Sequence, residues 1–127
     1  MKLRCTENSI RIRIKKSELK QLAIDKRVEE KINFSIQTVF TFALVIVEEL
    51  DYVEAGFINN QLTVNLPIAT AHEWMNSNQV GIEVNNSISE DHQLHILIEK
   101  DFPCLDRPNE DKSDTFWELA SDDPKAC

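Results

Sequence analysis

Apolar and polar residues alternate over Lys2–Thr6 and again over Ile10–Ile14, the period-two spacing of half-buried strands. The polar break Glu7-Asn8-Ser9 between them suits a turn. The spacing then changes. Leu19, Leu22 and Ala23 stand at i, i+3 and i+4, which predicts a helix over Ser17–Ile24 with one apolar stripe. Ser17, or Lys16 before it, starts that helix, and the Ser17 hydroxyl is the better cap for an unpaired amide. Val28–Phe34 alternates once more, with Glu30 in the same phase as Val28, Ile32 and Phe34. Val39–Val47 is apolar on both faces, as a central or covered strand requires.

The same succession returns 52 residues later, with no gap between residues 8–47 and 60–99. Ile10, Ile12 and Ile14 fall on Leu62, Val64 and Leu66, and Phe42, Leu44 and Ile46 fall on Leu94, Ile96 and Ile98. The second copy predicts strands over Val53–Ile58 and Gln61–Leu66, joined by Asn59-Asn60, since Asn tolerates positive φ. A helix over Pro67–Asn76 follows, with Pro67 in its first turn and Ile68, Ala71, Trp74 and Met75 as its buried stripe. Strands over Val80–Val84 and Gln93–Glu99 complete it. Trp74 and Met75 at this spacing are core residues rather than a cofactor box. Each copy reads ββαββ, and an internal repeat constrains architecture more than any single motif. One such unit leaves an apolar sheet bare, and a second copy in cis covers it. The expected fold is mainly β with two short helices: a duplicated domain over residues 1–100 (repeat one 2–47, repeat two 53–99), then an acidic tail over 101–127.

A chain of 127 residues buries a real core without disulfides or metals. No apolar run is long enough to span a bilayer. The opening residues carry neither an apolar signal core nor a small-residue cleavage site, so a cytoplasmic location is expected. Cys5, Cys104 and Cys127 form no CxxC pair; Cys5 is expected in the core and Cys127 at a frayed end.

The net charge of −8 is unevenly spread. Residues 1–31 hold ten of the fourteen Lys and Arg and five acids, whereas residues 32–99 hold nine acids and no Lys or Arg. A local basic surface on an acidic molecule follows. In the tail, Pro103, Pro108 and Pro124 among many acids argue for extended chain. Phe116, Trp117 and Leu119 form an apolar island within it. The island either docks on its own domain, over the outer face of Val39, Thr41, Ala43, Val45 and Val47, or anchors a protein partner.

Asn8-Ser9-Ile10-Arg11-Ile12-Arg13-Ile14-Lys15, a short helix and Val28-Glu29 resemble the opening of AbrB/MazE-type proteins. Asn60-Gln61-Leu62-Thr63-Val64-Asn65-Leu66-Pro67 and Val80-Gly81-Ile82-Glu83-Val84 are similar again. In that family two protomers exchange hairpins to build one barrel, so the resemblance implies a swapped-hairpin pseudo-dimeric barrel within one chain. It also implies DNA binding through Arg4, Arg11 and Arg13, with Lys15 and Lys16 adding phosphate contacts. Against this, the second copy has Asn65 where Arg13 stands and Gly56 where Arg4 stands, so a symmetric operator would meet only one basic face. An antitoxin-like role, with the acidic tail wrapping a partner, is the related expectation. The whole chain further resembles an uncharacterised bacterial family, a domain of unknown function. That likeness rests on Met1–Ile14, Arg27-Val28-Glu29-Glu30, Asn78-Gln79-Val80-Gly81-Ile82-Glu83 and Glu99-Lys100-Asp101-Phe102-Pro103-Cys104-Leu105.

Catalytic chemistry has little support. There is no Ser elbow or Cys/His nucleophile pattern, and Gly56 and Gly81 are the only glycines, so no phosphate-cradling loop is written. His92 and His95, three apart, face opposite sides of a strand, and His72 lies on a helix. Asp101 and Cys104 remain as metal candidates, without the convergent ligands a site needs. The resulting expectation is a non-catalytic binding or regulatory module without cofactors. It is a monomer or weak dimer, makes no membrane contact, and meets a protein partner through Phe116, Trp117 and Leu119. DNA binding through the basic first repeat, or metal binding, stands as the alternative.

Overall fold

The computed structural model describes residues 1–103 and 111–120. The elements follow in the expected order: β1 (Lys2–Thr6), β2 (Ser9–Ile14), α1 (Lys16–Asp25), β3 (Arg27–Asn33), β4 (Val39–Val47), β5 (Glu54–Ile58), β6 (Gln61–Pro67), α2 (Ile68–Met75), β7 (Gly81–Ser89) and β8 (His92–Lys100). A 3-10 turn, Trp117–Leu119, lies beyond them. The strands form two four-stranded sheets, A (β1-β2-β8-β7) and B (β3-β4-β6-β5). Each sheet joins a hairpin from the first half of the chain to one from the second. The joins are the parallel pairs β2–β8 and β4–β6; the remaining pairs are antiparallel.

The expected barrel is not closed. Among the described strands no ladder joins β1 to β3 or β5 to β7. The edges instead meet through side chains and the chain terminus. Asn86 Nδ2 donates to the Val53 carbonyl at 2.9 Å, and the Met1 amino group pairs with Glu18 at 2.7 Å and with Glu30. Side-chain contacts of this kind hold two open sheets face to face without the continuous backbone bonding that closure needs. Between the sheets lies one apolar cluster that includes Ile12, Ile14, Leu44, Leu66, Ile96 and Ile98, with Leu22 from α1 and Ala71 and Trp74 from α2. Trp74, placed in the core by its helical spacing, is fully buried, and its Nε1 donates to the Val80 carbonyl at 3.0 Å.

The spacing of the two halves is not constant. Ile12 pairs with Ile98 and Val64 with Leu44, so the second hairpins correspond at 54 residues, although the first hairpins correspond at 52. Val28 opposite Leu44 and Ile82 opposite Ile98 give the same shift. The segment from α2 to β7 is therefore two residues longer than its counterpart before β3. The sequence match across residues 28–47 loses its register there, because a period of two looks the same after a slip of two. In the corrected register Val84, not Ile82, matches Glu30, and Lys100 takes the inward position of Ile46.

Helix α1 starts at Lys16, one of the two expected positions. Three local expectations change. Ser17 turns its hydroxyl and amide to the carboxylate of Asp114, 97 residues away, instead of capping. Cys5 is exposed, because β1 is an edge strand and its far end lies beyond the core. Phe116 docks at the start of α1, above Lys16 and Lys100, rather than over the outer face of β4.

Candidate functional site

The strand register builds the candidate site on the outer face of sheet A. Lys2 and Arg4 alternate along β1, and Arg11 and Arg13 along β2, so all four leave the sheet on one side. Pairing sets Lys2 opposite Arg13 and Arg4 opposite Arg11. The parallel neighbour β8 then brings His95 beside Ser9, Leu97 beside Arg11 and Glu99 beside Arg13.

Glu99 is the hub. Its Oε1 accepts from Arg11 Nε at 2.6 Å and from Arg13 Nε at 3.3 Å. Arg13 is buried, with the Phe102 ring 4.6 Å from its guanidinium. That burial first, and the charge of Arg11 next, push the Arg13 pKa down, while Glu99 and Asp101 oppose the shift. Lys2 pairs with the buried carboxylate of Asp101 at 3.2 Å. His95 Nε2 lies 2.6 Å from Glu83 across the β7–β8 pair. Arg4 is exposed and has no hydrogen bond or ion pair to a described residue. Between Arg4, Arg11 and His95, over Leu97, lies a shallow depression of about 180 Å³ that also reaches Thr6 and Ser9.

Of the five basic residues expected to act together, Arg4, Arg11 and Arg13 do share this face. Lys15 precedes α1, where its amide donates to Glu18 at 2.8 Å. Lys16 reaches the tail, with Nζ 5.5 Å from the Phe116 ring centre and 3.8 Å from Glu118. The strand alternation that pointed to Arg4 also contains Lys2, two residues earlier. His95, Glu83 and Glu99 carried no local pattern, because only the β2–β8 pairing brings them there.

The tail residues separate. Phe116 is buried, its amide donating to the Asp101 carbonyl at 2.8 Å, Leu119 is half-buried and Trp117 is 54 % exposed. Asp101 is held by Lys2, and Cys104 and Cys127 lie outside the described residues. No group of three or more potential metal ligands occurs among the described residues. No described helix is long and apolar enough to cross a membrane.

A family model, DUF7009, matches residues 1–119. The chain belongs to DUF7009, a family of unknown function. Neither a curated protein nor a solved structure matches it.

Proposed function

We propose that this DUF7009 chain is a non-catalytic, cytoplasmic binding module that takes an acidic segment of a protein partner on the outer face of sheet A. The observation that carries this reading is the placement of Arg4 directly across from Arg11. Like charges opposed on neighbouring strands repel; Glu99 answers Arg11 from the β8 side, and an anionic group seated against Arg4 offsets the repulsion that remains. The depression beside them is the size of a single carboxylate-bearing side chain rather than a nucleic-acid track. Glu83 and Glu99 interrupt the basic row, and the matching positions of sheet B are Gly56, Thr63 and Asn65, so a continuous phosphate backbone meets repulsion and no second basic face.

The test is fluorescence anisotropy with a labelled poly-glutamate peptide, at low and at physiological salt. Binding by the native chain at low salt is expected, abolished by Arg4→Ala and strengthened by Glu99→Gln, which removes a carboxylate that competes with the peptide for Arg11. Absence of binding at low salt would falsify the reading. Duplex DNA bound more tightly than the peptide, with a steep salt slope, would replace it with the nucleic-acid alternative.

A second reading concerns Trp117. Phe116 pins the turn to the domain and leaves Trp117 outward, a fixed apolar contact for a protein partner. Trp117→Ala would then leave stability unchanged and remove partner binding.

The hairpin exchange between halves supports a related inference about origin. The two ββαββ units are copies of one ancestral unit fused in one chain, the intramolecular counterpart of the hairpin-swapped AbrB/MazE-like dimer.

A further inference from the structure

We infer that the outer edge of β5 is a self-pairing edge, through which two copies of this chain join their B sheets about a two-fold axis. Four strands end the two sheets, and three of them carry devices that discourage pairing. The β1 edge bears Lys2 and Arg4, and the β3 edge bears Arg27, Glu29, Glu30 and Lys31. The β7 edge bears Glu83 and a register break between Ser87 and Ser89. The β5 edge has neither Lys, Arg, Pro nor a bulge. Its last three residues, Gly56, Phe57 and Ile58, are exposed, Phe57 to 65 % and Ile58 to 73 %. Among the described residues no strand pairs with it on the side away from β6, and the Asn86 contact from β7 falls on the Val53 carbonyl, before the strand begins.

The strand is complementary to itself. Asn59 and Asn60, at φ 53° and 62°, close a two-residue hairpin, which turns the backbone groups of Ile58 toward β6 and those of Phe57 away. Phe57 is therefore free to form the reciprocal backbone pair with Phe57 of a second copy. In that antiparallel register Ile58 falls opposite Gly56 of the second copy. A Cβ at Gly56 would meet nothing within 4 Å, so the space for the Ile58 side chain is already there. The strand's one charge, Glu54, falls opposite Asn60 of the second copy, so the pairing opposes no like charges. Stable interfaces bury about 1,200 Å² or more, beyond what one short edge supplies, so this dimer is a weak one that dissociates on dilution.

Sedimentation velocity over a concentration series reads the association. The native chain is expected to shift from monomer to dimer with concentration. Ile58→Lys and Gly56→Val should each raise the dissociation constant about tenfold or more. A Cβ at Gly56 meets nothing within 4 Å and Val favours strands, so the melting temperature of Gly56→Val when dilute should match or exceed that of the native chain, which separates lost pairing from lost folding. In a chain with Cys5, Cys104 and Cys127 replaced by Ser, Phe57→Cys should cross-link on oxidation, because directly paired Cα atoms lie about 5.5 Å apart. Ile58→Cys, displaced by two residues from its own copy, should not. A chain that stays monomeric at every concentration, or a dimer untouched by Ile58→Lys and Gly56→Val, overturns the inference.

Discussion

Lys100 Nζ donates to the Ser77 carbonyl at 2.7 Å. The relationship joins two differences between sheet A and sheet B. Lys100 stands where sheet B has Ile46, and Ser77 lies in the segment that is two residues longer than its counterpart. That segment supplies the carbonyl that a buried ammonium requires.

Burial lowers the Lys100 pKa from about 10.5, with Glu118 opposing. The folded state then binds fewer protons than the unfolded chain between the lowered value and 10.5, so stability rises with pH across that window. Urea unfolding from neutral pH to pH 10.5 should show this rise in the native chain and lose it in Lys100→Met.

Glu7, at φ 49°, opens the β1–β2 turn in the left-handed region, where Asn59 stands in the β5–β6 turn. Lys26 ends α1 at φ 60°. Side chains there carry strain that Asn and Gly relieve. Glu7→Asn and Lys26→Gly should each stabilise the chain by about 0.5–1 kcal/mol, read from thermal or urea midpoints.

A Cβ at Gly81 would lie 2.9 Å from the Ile98 carbonyl oxygen, a backbone atom that cannot swing aside. Gly81→Ala should destabilise by about 1–3 kcal/mol. Gly56→Ala, in open space, should not destabilise at all, and a loss there equal to that at Gly81 would contradict the strand geometry.

Hydrogen bonds from Ser17 hold the Asp114 carboxyl below its ordinary pKa of 3.8. This contribution to docking is present above pH 3.8 and lost as pH falls through the lowered folded value. Asp114→Asn should make residues 111–119 more sensitive to proteolysis at neutral pH. Phe116→Ala should do the same and cost about 2–4 kcal/mol of stability, because that ring is buried.

Period and turn chemistry carried the element order, the two helices, the burial of Trp74 and the Asn59-Asn60 turn. These depend on neighbours within a few residues, and a strand's alternation or a helix's stripe shows which face goes inward. The same alternation hid the two-residue slip, since shifting by a full period returns every side chain to its face. Which hairpins share a sheet, the open edges, the burial of Lys100 and the meeting of Arg11 and Arg13 with Glu99 came from strand pairing between residues 86 apart in β2–β8 and 20 apart in β4–β6. Asp114 at the start of α1 belongs with these. Such contacts are chosen by how whole faces fit together, and no local window of the chain contains both partners.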